Sequence, residues 1–310
     1  MAVTMRAIAS ATGEWLWSGE AMVQGDALPG RTPSLDALIF DAAEAVFRAV
    51  PTIFGEDRAA ISAEALLSRA ARDLFSFDPG RLAAAQGAVD RARELAPDPR
   101  FDAWRALISA FLVIEGAGGE RDALIEEARR FVDLSLARGG DNALILALAG
   151  HVRVVIEGDL AAGLALARKS LLLRPGNPFA AVTLKAALTR SGRAEAAHAV
   201  SRRAAFLTRR SPISHWWTLS AALSAMAIGR FDEAVRMAEA TRAMAPQCRA
   251  ALRCLYALHT YRRDQDKAHE VVTVMRRMEP DFSLALIRDD RSYPADTLRA
   301  TGLASLRDIV

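Results

Sequence analysis

Five histidines, two cysteines and a few carboxylate pairs are the residues of this 310-residue chain with types suited to catalysis or metal binding. A zinc hydrolase of the His-Glu-x-x-His kind needs two imidazoles one helical turn apart, so that both face one ion. His269-Glu270 has no second histidine at that spacing, and His151, His198, His215 and His259 are scattered. Each reads as a packed or surface residue rather than a ligand. Cys248 and Cys254 make neither a four-ligand zinc site nor a disulfide framework by themselves. They read as reduced core thiols. Gly116-Ala-Gly-Gly-Glu120 lacks the glycine spacing of a dinucleotide fingerprint and follows no strand. No glycine-rich loop runs into Lys-Ser/Thr, and neither a Gly-x-Ser-x-Gly elbow nor an EF-hand pattern occurs. Glu126-Glu127 and Asp289-Asp290 read as solvated helix ends or loops. The sequence therefore predicts no catalytic residue, no cofactor and no metal. It predicts a chain that is not an enzyme and that holds something else.

The elements that would do the holding are helices. Apolar residues make up 52% of the chain but aromatics only 6%, and alanine is abundant. Alanine loses no side-chain entropy in a helix and lets backbones approach closely. β-Branched residues are sparse after the first lines, which argues against a large sheet. Forty basic residues against 37 acidic ones give a net charge of +3, spread along the chain rather than gathered into a stripe. Nucleic-acid binders concentrate their basic residues, so no direct nucleic-acid partner is expected. Lys169, Lys185 and Lys267 are the chain's lysines. The arginine and alanine bias reads as that of a GC-rich bacterial genome. No signal peptide is evident at the N-terminus, and apolar runs such as Ala143 to Ala149 fall short of the roughly 20 residues of a membrane span. A cytoplasmic protein with no membrane partner is the expectation.

A repeat organises the helices. In Gly229-Arg-Phe-Asp-Glu-Ala234, followed by Ala238, Thr241 and Pro246, a glycine ends one helix, and a second helix with small residues follows until proline stops it. The same order recurs at Gly158, Gly163, Ala167, Ser170 and Pro175, and at Gly192, Ala197, Ser201 and Ala204. Arg263, Ala268, Val272, Met275 and Pro280 give a copy with arginine at the turn glycine; Gly80, Ala85, Val89, Ala92 and Pro97 give another. Repeats start near Leu66, Arg100, Leu144, Pro178, His215 and Arg249, and intervals such as Leu144 to Pro178 and His215 to Arg249 are 34 residues. That is the tetratricopeptide period. One helix pair cannot bury its own apolar face, so neighbours must stack, with small residues where the helices cross. Insertions fall at Gly116 to Glu120 and at Arg210-Ser-Pro-Ile213.

The ends differ. Val3 to Ser10 and Glu14 to Glu20 alternate like strands around Thr12-Gly13, which reads as a hairpin. A polar connection from Gly25 to Pro33 leads to a helix expected to be capped by Ser34, with Leu35, Leu38, Ile39, Ala42 and Val46 on its apolar face. At the far end, Phe282, Leu284, Tyr293, Leu298 and Leu303 would cover the last repeat, with a final helix from Asp296 through Leu306. The expected architecture is all-α: a right-handed tetratricopeptide superhelix of about six helix pairs, with a short N-terminal β-hairpin and a C-terminal capping helix. Its expected parts are residues 1–60 (hairpin plus helix), 61–282 (repeat array) and 283–310 (cap).

In such arrays the first helix of each pair lines the concave surface. Here those positions supply Ile145, Leu148, Val152, Val155, Phe179, Val182, Arg190, Trp216, Leu219, Met226, Arg253 and Tyr261. Apolar grooves accept amphipathic helices, and aromatics with arginine dominate binding energies. The expected partner is another protein or an amphipathic peptide segment. The same residues would equally serve as core, covered by the N-terminal helix or by tight superhelical curvature.

With both ends in view, the chain resembles the C-terminal half of bacterial regulators that join a winged-helix DNA-binding domain, or a class III adenylate cyclase domain, to a tetratricopeptide array. The residues that carry the resemblance are Ala11-Thr-Gly-Glu-Trp-Leu-Trp-Ser18, Gly229-Arg-Phe-Asp-Glu-Ala234, Pro280-Asp-Phe-Ser-Leu284 and Leu298-Arg-Ala-Thr-Gly-Leu303. The sequence begins inside the small α/β module of that family, so no DNA-reading or cyclase residue carries over. The resemblance implies an interaction scaffold with a regulatory role in transcription or signalling. The alternative it leaves open is the sensory or oligomerising half of a split regulator, with the hairpin edge as the assembly surface of a homo-oligomer.

Overall fold

The computed structural model describes residues 2–8, 15–22, 32–54, 63–116, 119–291 and 293–309. Two strands, β1 (Ala2–Ile8) and β2 (Trp15–Met22), pair antiparallel from Ala2↔Met22 to Ala7↔Trp17, with an irregularity before Ile8. The expected turn at Thr12-Gly13 and the connection from Gly25 lie outside the described residues, except for its end at Thr32 and Pro33. Helix α1 (Pro33–Phe54) follows and packs on both strands. Its cap is Thr32, whose hydroxyl accepts from the Leu35 amide at 3.3 Å, rather than the expected Ser34. Pro33 explains the shift of two residues: its fixed φ suits the first helical position, where a missing N–H is harmless. Leu38 and Ala42 are buried, whereas Ile39 and Val46 are exposed.

Six helix pairs come next: α2 (Ala63–Leu74) with α3 (Pro79–Leu95), α4 (Pro99–Glu115) with α5 (Arg121–Gly139), and α6 (Ala143–Val152) with α7 (Leu160–Leu173). Then follow α8 (Pro178–Arg190) with α9 (Ala194–Leu207), α10 (Ser214–Ala227) with α11 (Phe231–Met244), and α12 (Arg249–Arg262) with α13 (Gln265–Met278). This is a tetratricopeptide-type solenoid with a small N-terminal sheet. Asp98, Asn142 and Asn177 cap successive first helices through their side-chain oxygens, which satisfies amides that have no partner inside the helix. At four positions a glycine with φ near +61 to +75° closes the turn inside a pair: Gly116, Gly158, Gly192 and Gly229. Arg263 stands at the same place with φ +58°, where its Cβ crowds the following carbonyl.

Small residues set how closely helices approach. A Cβ on Gly163 would sit 2.1 Å from Val154 Cγ2 and 3.2 Å from the Gly150 carbonyl, so α6 and α7 cross on two glycines. Between them the chain makes one wide π turn, Arg153–Glu157, closed by an Arg153–Glu157 ion pair at 2.6 Å. The array ends with α14 (Leu284–Asp289), α15 (Asp296–Ala300) and a 3-10 turn at Leu303–Ser305. Phe282, Leu284, Leu298 and Leu303 are buried against α12 and α13, and Tyr293 packs half-buried beside them. The final helix stops at Ala300 rather than running to Leu306, because Gly302 takes φ +75° and turns the chain. No helix among the described residues is long and apolar enough to cross a membrane.

Replacing Arg263 by glycine removes the left-handed strain, worth roughly 1 kcal/mol after allowing for the greater freedom of glycine in the unfolded chain. The expected result is a higher urea midpoint for Arg263→Gly and a lower one for Gly163→Ala. An unchanged or reduced midpoint for Arg263→Gly contradicts the assignment.

Candidate functional site

The concave strip is occupied by the protein itself. The turn between α2 and α3 carries Phe75 and Phe77, and Phe75 lies 4.7 Å from the Trp216 ring of the fifth pair. Around it stand Trp104 at 6.3 Å, Phe111 at 5.7 Å and Phe179 at 6.4 Å. Trp217 packs on Phe179 at 5.5 Å and meets Phe40 of α1 edge-on at 5.9 Å. Edge-to-face and tilted pairs of this kind favour the ring quadrupoles as well as burying area. Phe77 keeps φ +57° although it is not glycine. Its burial against Phe111 and His215 holds it there.

Polar groups lock the same closure. His215 Nε2 lies 2.5 Å from the Phe75 carbonyl; a carbonyl can only accept, so that nitrogen carries the proton. Burial holds the His215 pKa below its usual value. On the other edge Arg249 at the start of α12 donates to Glu115 at the end of α4 at 2.9 Å. The Glu115 and Arg249 side chains are 3% and 14% exposed, so removing one would strand a charge with little water. Helix α1 is fastened by Asp36 and Asp41, buried carboxylates 3.5 Å from Arg203 and Arg210.

The predicted contact residues fall into three groups. Ile145, Leu148, Val152, Val182, Trp216, Leu219 and Met226 are buried in the core, and Arg253 is buried as well. Phe179 and Val155 are half-buried. Arg190 and Tyr261 are exposed, and Tyr261 packs its ring on Phe231 at 4.9 Å. The structure brings Ile145, Leu148, Phe179, Val182, Trp216 and Leu219 into the core cluster that holds the Phe75–Trp216 contact, whereas Met226 and Val152 pack in two other clusters. His151 is among the groups drawn inward: burial, then the charges of Lys185 and Arg190, push its pKa down to about 4, so it is neutral at pH 7. Burial likewise pushes both cysteine thiols up to about 12.

Among the described residues, two recesses flank this plug. One is a cleft of about 520 Å³ between α1 and the edge of the array, walled by Ile39, Phe40, Leu67, Trp104, Leu144, Phe179 and Ile213. Its polar rim includes Arg72, Arg100 and Arg174. Arg100 is bound to Asp98 and Glu64, whereas Arg72 and Arg174 are exposed and make no ion pair among the described residues. The other lies under the C-terminal segment and is lined by Arg190 and Arg253. Periodicity singled out Phe179, Arg190 and Arg253, and Ile39 on the apolar face of α1, but not Phe75 or Phe77. Two phenylalanines in a three-residue turn were the available signal, since a solvated turn has no use for them.

Among solved structures the chain is similar to the human IFIT1 dimer with m7Gppp-AAAA, at TM-score 0.51 and 15% identity, covering 92% of this chain and 72% of that one. It is also similar to TTC0263, a thermophilic TPR protein of Thermus thermophilus, at TM-score 0.47 and 17% identity, covering 69% and 99%. YrrB, a TPR protein with an unusual peptide-binding site, matches at TM-score 0.40 and 21% identity, covering 65% and 97%. Likeness at these identities speaks to the fold alone. No family model and no curated protein matches the sequence, and the winged-helix and cyclase resemblance draws no support from these comparisons.

Trp216→Ala is a core deletion and should destabilise by about 3–5 kcal/mol, whereas Tyr261→Ala should stay within about 0.5 kcal/mol. Urea unfolding of the two variants checks this. A Trp216→Ala protein as stable as the parent would mean that the aromatic plug is not what closes the array.

Proposed function

We propose that this chain is a non-catalytic interaction scaffold that takes an apolar segment of a partner protein or amphipathic peptide into the cleft beside α1. The observation that carries the reading is the cleft itself: apolar walls, open access, and two exposed arginines at its rim without carboxylate partners among the described residues. Burying a few large apolar side chains there would drive association. Arg72 and Arg174 would select a segment with acidic residues beside its apolar anchors. Phe179 is the residue shared with the strip predicted from the repeat; Arg190 and Tyr261 would then lie outside the main contact. A regulatory role in bacterial transcription or signalling rests on the resemblance of the head and tail motifs, and a cytoplasmic location on the expectation from the sequence.

Selection of peptides from a random library on the full chain tests the cleft. Selected sequences should pair apolar anchors with acidic neighbours. Ile39→Glu, which puts a carboxylate into the cleft wall, should weaken them about tenfold or more, near 1.4 kcal/mol. Arg72→Glu with Arg174→Glu should do the same with unchanged helical content. Peptides that bind Ile39→Glu as tightly as the parent would move the site elsewhere.

A second reading is favoured by the hairpin. Its two strands pair with each other alone among the described residues, and Ile8, Trp15 and Met22 are exposed at 52, 60 and 71%. A lone hairpin edge with such side chains is a template for strand addition, which suits assembly with another copy or with an output domain. Light scattering should then show a dimer that Trp15→Lys dissociates; a strict monomer at high concentration sinks this reading.

A further inference from the structure

The recess under the C-terminal segment differs in character from the cleft beside α1. It is a cavity of about 340 Å³ bounded by the α4–α5 junction, the π turn, α8, α12 and the segment around Tyr293 to Leu298. Its walls carry Arg121, Arg190, Arg253 and Arg291 against one carboxylate, Asp296. That carboxylate is largely committed elsewhere, accepting from Arg299 at 2.6 Å while standing 3.7 Å from Arg190. Arg121 donates to the Val113 carbonyl at 3.4 Å and Arg190 to the Val154 carbonyl of the π turn. Carbonyls orient a guanidinium without neutralising it. Arg253 is the better-compensated cation, resting on the Tyr293 ring at 5.1 Å and 4.0 Å from Glu279. Glu279 also serves Arg249 at 3.3 Å.

Behind this wall lies Lys185, on the same helix as Arg190 and buried to about nine-tenths. No carboxylate pairs with its ammonium among the described residues, and the groups whose charges reach it are Cys254 and Arg190, both wall residues. The Cys254 thiol, pushed up by burial, is neutral at pH 7. Burial, with the like charge of Arg190, lowers the Lys185 pKa to about 8, so it remains mostly protonated there. A lysine buried along most of its length without a carboxylate partner is unfavourable for folding, and an anion near it offsets that cost. Lys185 stands near Arg121 and Arg291, which make no ion pair among the described residues, and near Arg190, whose partner Asp296 is shared with Arg299.

We propose that this cavity binds a small phosphate-class polyanion, clamped by Arg121 and Arg190 with Lys185 behind them, and covered by the segment from Tyr293 to Leu298. Guanidinium forks match phosphate oxygens two at a time, and a compact ammonium supplies a point charge. The volume lies at the small end of ligand pockets, which suits an inorganic pyrophosphate or a sugar phosphate. The proposal goes beyond the peptide reading and stands apart from it, since the two recesses share no lining residue.

Calorimetric titration of the full chain with sodium pyrophosphate, at constant ionic strength, tests the site. Saturable one-to-one binding with a raised Tm is expected, and Lys185→Met and Arg121→Gln should each weaken it about tenfold or more. Lys185→Met should also raise the Tm of the ligand-free protein, because an apolar side chain of similar shape removes a buried charge. A merely structural lysine would move the Tm the other way. Arg121 is exposed, so its variant reports on binding even if Lys185→Met fails to fold. The proposal is overturned by absence of saturable binding, or by variants that bind as the parent does. It is equally overturned if a short single-stranded RNA or an acidic peptide uses the same residues more tightly than pyrophosphate.

Discussion

Phe75 meets Trp216 across the axis of the superhelix, and without that contact the array would be an open stack. Stacked helix pairs touch only their neighbours, and a concave surface lined by apolar residues would ordinarily stay open to water or to a ligand. Here the curvature brings residues 140 positions apart within hydrogen-bond distance, His215 to the Phe75 carbonyl. The turn between α2 and α3 fills the space that remains. Closing the strip this way removes large ring surfaces from water and makes the first and fifth pairs one packing unit, which a linear stack is not. The Glu115–Arg249 pair repeats the same long-range tie on the other edge.

That closure explains why the remaining recesses are small and unlike each other. The plug of Trp104, Phe111, Phe179 and Trp216 occupies the middle of the strip. On one side α1 lies over the array and leaves an apolar cleft; on the other, the C-terminal segment lies over α8 and α12 and leaves a cationic one. The π turn matters to the second. A wider turn leaves the Val154 carbonyl available, and Arg190 uses it as its anchor. Local backbone irregularity, superhelical curvature and the two added ends therefore act together, and none alone would make either recess.

The all-α class, the six helix pairs, the hairpin and the cap were legible in the sequence. They are written in local chemistry: glycines in left-handed turns, alanines at helix crossings, and Asp-Pro, Asn-Pro and Pro-stop punctuation. Thr32 in place of Ser34, and a last helix that stops at Gly302, are shifts of a few residues in where such signals act. The concave strip was legible as a set of positions but not as a surface. Whether Ile145 or Trp216 faces a partner or the protein's own interior depends on superhelical pitch, and pitch sums small rotations at each repeat interface.

Spacing along the chain is enough to dictate the repeat and the side of each helix that must be covered. What covers that side was settled in three dimensions. Phe75, Phe77, α1 and the C-terminal segment reach it from positions far away in sequence, and no periodicity encodes such distances. The charged recess has the same origin: Arg121, Lys185, Arg190 and Arg253 look like ordinary helix residues one by one. Their excess of positive charge over the single lining carboxylate exists as a property only once separate helices have brought them near one space.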